Sequence, residues 1–188
     1  MEKKCMLERG IAGLLVVVLV LAMVPLTVVS AQVADPVINE FVISHTGTDT
    51  NEYVELYGDP DTDYSALTLV EIEGDGSGAG LIDAGTMSVG STDAGGVWIT
   101  GFQTERWENG TVTLLLVEGY SGAVGQDLDV DNDGALDVEP WDRVVDGVAV
   151  WDGGADDRAY GVPALGPNYD GVSSYAPGGA SRIPDGLD

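Results

Sequence analysis

After residue 31 this chain is cut into short apolar pieces by glycine and aspartate, and the cutting leaves room for strands but not for helices. The pieces are VINEFVIS (37–44), EYVELYG (52–58), SALTLVEIEG (65–74), GVWITG (96–101), TVTLLLVEGY (111–120) and RVVDGVAVWD (143–152). They are rich in Val, Ile, Leu, Thr and aromatic residues, which fit a pleated, half-buried surface. Between them lie DP, GDGSG, AGG, ENG, NDG, DGG and PGG, where Gly supplies the turn conformations that other residues avoid. Several pieces alternate, with Val54 and Leu56 set against Glu52, Tyr53 and Glu55, and Val70 and Ile72 set against Glu71 and Glu73. That period gives each strand one buried and one wet face. It predicts an all-β fold, a sandwich of antiparallel strands, with Val54, Leu56, Val70, Ile72, Leu114, Leu116, Val148 and Val150 in the core.

The first residues obey another rule. Lys3, Lys4 and Arg9 form a basic start, residues 11–29 are almost wholly apolar, and Val29-Ser30-Ala31 offers the small residues of a cleavage site. This predicts a secretory signal peptide over residues 1–31 and one mature domain over residues 32–188. The competing reading is an uncleaved anchor, since the apolar run is long enough to cross a bilayer; Pro25 and the small triplet favour removal. The expected product is secreted and leaves the membrane after cleavage. Cys5, the single cysteine, falls within the leader, so the mature chain has neither disulfides nor thiolate chemistry.

Charge narrows the function classes. The formal net charge is −25, and beyond residue 31 the cations are Arg106, Arg143, Arg158 and Arg182, with no lysine. Such a surface repels phosphate backbones, so no direct nucleic-acid binding is expected. It attracts divalent cations instead.

One acidic stretch is patterned. In DVDNDGALD (129–137), Asp129, Asp131 and Asp133 alternate, Gly134 follows, Ala135 offers a backbone carbonyl and Asp137 comes next. With Asp129 as position 1, these are positions 1, 3, 5, 6, 7 and 9 of a calcium loop, where oxygens meet a hard cation around a sharp glycine bend. Position 12 is Pro140, not a bidentate Glu, and no helices flank the loop, which excludes an EF-hand. Asp127, Glu139 or Asp142 could complete the shell. The simpler reading is a solvated acidic turn, but so many carboxylates repel one another without a cation between them. We expect a structural calcium ion at Asp129, Asp131, Asp133, Ala135 and Asp137.

Candidate catalytic residues are sparse. His45, the sole histidine, sits just after a strand and reads as a loop residue with a local hydrogen bond. Phosphate-cradling loops with Lys, nucleophile elbows and His-Glu-x-x-His are absent from the sequence. Trp98 and Trp151 lie inside apolar strands and are expected to be core or half-buried residues of the sandwich; Trp107 and Trp141 lie near turns and, if exposed on one face, would stack on a polysaccharide. Asn109-Gly110-Thr111 fits a glycosylation sequon but reads better as an Asn-Gly hairpin turn.

PVINEFVISHTGTDTNEYVELYG (36–58), with its strand ending in Ile-Asn-Glu, polar loop and Glu-Tyr-Val-Glu-Leu strand, resembles the lamin-tail domain. The later NGTVTLLLVEGYSGAVGQDLDVDNDGALD, VVDGVAVWDGG and GGASRIPDG are similar to the lamin-tail region at the front of bacterial secreted nucleases. The resemblance spans residues 36–188 and implies an immunoglobulin-like sandwich. In those proteins a metal-dependent endonuclease/exonuclease/phosphatase-type domain follows; no such part lies within this sequence, so no nuclease activity is carried over. Three classes stay open at this point: a non-catalytic module that tethers a nuclease domain or an extracellular surface, a carbohydrate-binding module, and the front piece of a secreted nuclease. SRIPDGLD offers no closing strand, so an open sheet edge is expected.

Overall fold

The computed structural model describes residues 33–187; the predicted signal peptide lies outside them. The strands are β1 (Val37–Val42), β2 (Tyr53–Tyr57), β3 (Leu67–Glu73), β4 (Met87–Ser88), β5 (Val97–Ile99), β6 (Val112–Glu118), β7 (Arg143–Val150), β8 (Ala164–Leu165) and β9 (Gly179–Ser181). A single 3₁₀ turn at Gly76–Gly78 is the only helical element among the described residues, none of which form a helix long and apolar enough to cross a membrane. One sheet has the order β5-β2-β1-β9 and the other β4-β3-β6-β7-β8. All pairings are antiparallel except β7 with β8. The described residues form an all-β sandwich, as the alternation predicts.

Between the sheets, Ile38, Phe41, Val54 and Leu56 meet Leu67, Leu69, Leu114, Leu116 and Val150. A second apolar cluster lies on the far face of the β3–β6 sheet. There Val70, Ile72, Leu115 and Val117 are covered by Ile82, Leu128, Trp141 and Tyr160 from the connecting loops. The protein therefore has three layers: sheet, sheet and a cover of loops. Every expected core position is buried except Val148, which packs half-buried against the core.

This corrects the expected sidedness of β3. Val70 and Ile72 are buried, but beneath the loops, so the alternate positions Leu67, Leu69 and Glu71 turn toward the other sheet. Glu71 is fully buried, not wet. A second correction concerns Asn109-Gly110. Since β5 and β6 belong to different sheets, residues 100–111 form a crossover and not a hairpin. Gly110 packs against the Asp75 carboxylate, which accepts the Thr111 N–H at 2.9 Å.

The sheets are also stitched by polar groups. Asp146 on β7 accepts the Ile38 N–H at 2.6 Å and pairs with Arg182 at 3.1 Å, while Arg182 donates to the Ile38 carbonyl at 2.9 Å. A bulge on β1 at Asn39 lets its amide donate to Glu55 at 2.8 Å, and Gly186 N–H reaches its carbonyl oxygen at 3.0 Å. The outer strand β9 comes from Gly179-Ala180-Ser181, so a short closing strand precedes the tail where none was expected.

Candidate functional site

The patterned acidic loop lies in the long connection between β6 and β7 and forms part of the loop cover. Asp129 is its anchor and is completely buried. Its Oδ1 accepts the Asp133 N–H at 3.1 Å, and its Oδ2 accepts the Gly134 N–H at 3.0 Å and the Tyr160 hydroxyl at 3.1 Å. Burial, then this bond to Asp129, pushes the Tyr160 hydroxyl well above the ordinary phenol range. Gly134 has φ +91°, the left-handed backbone that the predicted bend requires. Asp131 and Asp133 accept N–H groups two residues on, at 3.3 Å and 2.9 Å, and Asp137 accepts the Val130 N–H at 2.9 Å.

One carboxylate oxygen each from Asp129, Asp131 and Asp137 lies within 4.8 Å of the others. That spacing suits oxygens sharing a cation bound at about 2.3–2.6 Å from each. Asp133, also predicted as a ligand, falls outside this trio, and its Oδ1 is engaged with the Ala135 N–H. Ala135, expected to offer its backbone carbonyl, lies in the same turn, with its N–H on Asp133. Arg158 approaches the same loop, donating to the Asn132 carbonyl at 3.3 Å, so part of the negative charge is offset from within the protein. Sequence spacing found the three converging aspartates; Tyr160 and Arg158, from the next connection, left no local signal there.

Two further carboxylate groups gather elsewhere. Asp75, Asp152 and Asp157 surround Thr111, whose hydroxyl donates to Asp157 at 3.0 Å and accepts the Asp152 N–H at 3.0 Å. The hydrogen bond between Asp152 and Asp157 raises the first carboxyl and lowers the second, as expected of a pair sharing one proton. Glu73, Asp83 and Glu108 form the other group, where burial, followed by the charge of Glu108, raises Glu73.

The crossover at residues 100–111 is held by two buried carboxylates, Glu52 just before β2 and Glu71 on β3. Glu52 accepts the N–H groups of Arg106 and Trp107, and Glu71 accepts those of Glu108 at 2.7 Å and Gly85 at 2.6 Å. Burial pushes the Glu71 carboxyl up to about 7 despite those two donors, and burial raises Glu52 as well. Trp107 is wedged between them, 4% exposed. Gly85 allows this: a side chain there would start 2.3 Å from Glu71 Oε2 and 2.6 Å from the Trp107 indole nitrogen.

Trp98 is where it was expected, and the other three tryptophans are not. Trp107 and Trp141 are buried, Trp98 is half-buried, and Trp151 is 39% exposed. Apolar spans mark neither the crossover nor the loop cover as interior, which is why the sequence left Trp107 and Trp141 open to exposure. A sugar-stacking platform built on those two is not formed. His45 is locally bonded, as expected: Nε2 accepts the Thr50 N–H at 3.0 Å, and Nδ1 lies 3.3 Å from the Thr46 carbonyl. With both nitrogens turned to its own loop, it is poorly placed to take a substrate proton.

Fold and site together define an all-β sandwich carrying an acidic loop on its outer layer. No family model matches the chain, and no curated protein or solved structure matches it.

Proposed function

We propose that this chain is a non-catalytic, calcium-stabilised module of an exported protein, serving to place or tether a partner domain or an extracellular surface. The observation that carries the reading is the convergence of Asp129, Asp131 and Asp137 in a loop that also closes an apolar cluster. A cation there would fix the cover over Val70, Ile72, Leu115 and Val117, a structural task. Export rests on the leader pattern in residues 1–31, and the tethering role on the resemblance to lamin-tail regions of secreted nucleases. The bonded state of His45 supports the non-catalytic part.

The test is calorimetric. Because the unfolded chain cannot hold the oxygens together, calcium should stabilise the fold by mass action. At an affinity of roughly 10⁻⁴ to 10⁻³ M, millimolar calcium adds on the order of 1 kcal/mol, and magnesium much less. Asp131→Asn with Asp137→Asn should abolish this response, since both carboxylates are exposed and removable without unfolding the loop. Asp129 is unsuitable because both its oxygens already hold the fold. An equal calcium response in wild type and variant would mean that ions merely screen a diffuse acidic surface.

A second result is expected from plasmid DNA. The purified chain should leave it intact with magnesium, manganese or calcium. Metal-dependent nicking lost in His45→Ala would overturn the non-catalytic reading.

A further inference from the structure

The two ends of the β5-β2-β1-β9 sheet are finished differently. At β5 the outward backbone of Val97 is already used: its N–H donates to the Asp93 carboxylate at 3.0 Å, and its carbonyl accepts the Asp93 N–H at 2.8 Å. This turn blunts the edge, a common defence against stray pairing. At β9 nothing comparable is present among the described residues. Ile43 donates to the Gly178 carbonyl and Arg182 to the Asn39 carbonyl, so the register turns the N–H and C=O groups of Gly179 and Ser181 away from β1. Those groups have no partner there.

A cavity opens on each face of this same edge. On the outer face, one of about 380 Å³ is lined by Glu40, Val42 and Ser44 and by the backbone of residues 178–181. Its floor stays bare because a side chain at Gly179 would start 2.5 Å from the Phe41 carbonyl oxygen, and one at Gly178 would start 2.2 Å from that of Ser44. On the inner face, one of about 410 Å³ runs between β9 and β8 and is lined by Ile38, Phe41, Val148, Leu165 and Tyr169, continuous with the core.

An extended strand sends successive side chains to opposite faces. We propose that the β9 edge receives an extended segment of another protein in which apolar and basic residues alternate. Backbone hydrogen bonds to Gly179 and Ser181 would extend the sheet, the mode by which peptides add to open edges. Apolar side chains would enter the cleft between the sheets, and basic ones would face Glu40. Charge selects the occupant: a second copy would bring the same net −25, whereas a basic segment meets the Glu40 side of the edge with opposite sign. The proposal rests on the tethering reading above and names the surface that does the tethering.

The probes are three short synthetic peptides: valine alternating with lysine, the same residues segregated into two blocks, and valine alternating with glutamate. Binding is measured by calorimetry, and amide exchange in the whole mature protein by NMR. The alternating lysine peptide should bind and slow exchange at Gly179 and Ser181, with the block peptide at least about tenfold weaker because it cannot pair and alternate at once. Ser181→Pro removes the outward donor and should weaken binding about tenfold; Glu40→Lys, which leaves the edge intact, should do the same and shift preference to the glutamate peptide. Equal binding of alternating and block peptides would reduce the effect to bulk charge and overturn the proposal. So would protection away from β9, or a wild-type dimer protected at Gly179 and Ser181. A protein that keeps its calcium response and leaves DNA intact, yet shows no preference for the alternating peptide, loses the edge proposal and retains the module reading.

Discussion

Trp107→Ala is expected to cost about 3–5 kcal/mol of stability and to lower the melting temperature by roughly 10 °C or more. The indole is buried between two sheets and beside two buried carboxylates, so its removal leaves a cavity that Glu52, Glu71 and Gly85 cannot collapse into without losing backbone bonds. Trp151→Ala, at a half-wet site on the outside, should cost less than about 1 kcal/mol. Reversible chemical unfolding of both variants checks the pair. Equal losses would mean that the crossover does not pack as described.

Stability should increase as the solution is acidified from about pH 8 to about pH 5. The sign follows from Glu71, whose carboxyl is raised from 4.5 in the unfolded chain to about 7 in the fold. Between those values the folded protein holds a proton that the unfolded chain has released, so stability is full below the lower value and drains away as pH rises through the upper one. For this fully buried group the difference is on the order of 3 kcal/mol. Burial raises Glu52 in the same direction. Further acidification should reverse the trend, because Asp49 and Asp93 are lowered by backbone N–H donors and lose that stabilisation when protonated. Chemical denaturation across this range should give a maximum on the acid side of neutrality, and Glu71→Gln should flatten the neutral limb. A profile flat from pH 5 to 8 in the wild type would contradict the buried, two-donor site.

The alternation in EYVELYG was enough to place β2, because Val54 and Leu56 face an interior that both sheets share. In LTLVEIE the same alternation located the strand but misjudged its faces. Both faces of β3 are covered, so Val70 and Ile72 are as buried as Leu67 and Leu69, and a rule that assumes one wet face has to choose wrongly for one set. Glu71 is the residue that exposes the error, since a carboxylate can be interior when backbone donors at Gly85 and Glu108 meet it. Those donors come from distant segments with no apolar pattern. The short strands β4, β8 and β9 escaped for a related reason: two or three residues carry no period to read. At the acidic loop, spacing did anticipate that Asp129, Asp131 and Asp137 converge, because which carboxylates meet within a tight loop is a local property. Asp133 was separated from them by its own turn, bonding Ala135.

Covering β3 and β6 on both sides also divides the molecule into parts that need not open together. The inner sandwich is closed by strand pairing over most of its width, while the outer layer is a set of loops tied to β3 and to one another by isolated bridges such as Ile72 with Ile82 and Leu81 with Asp127, and by the bond of Tyr160 to Asp129. Fluctuations that lift the loops would bare Val70, Ile72, Leu115 and Val117 as a continuous sticky slab and leave the sheets behind them folded. Such half-open forms are the ones that seed aggregation. The aspartates of the acidic loop, tethered beside the slab even when that loop lifts, would repel the approach of another copy of this acidic chain.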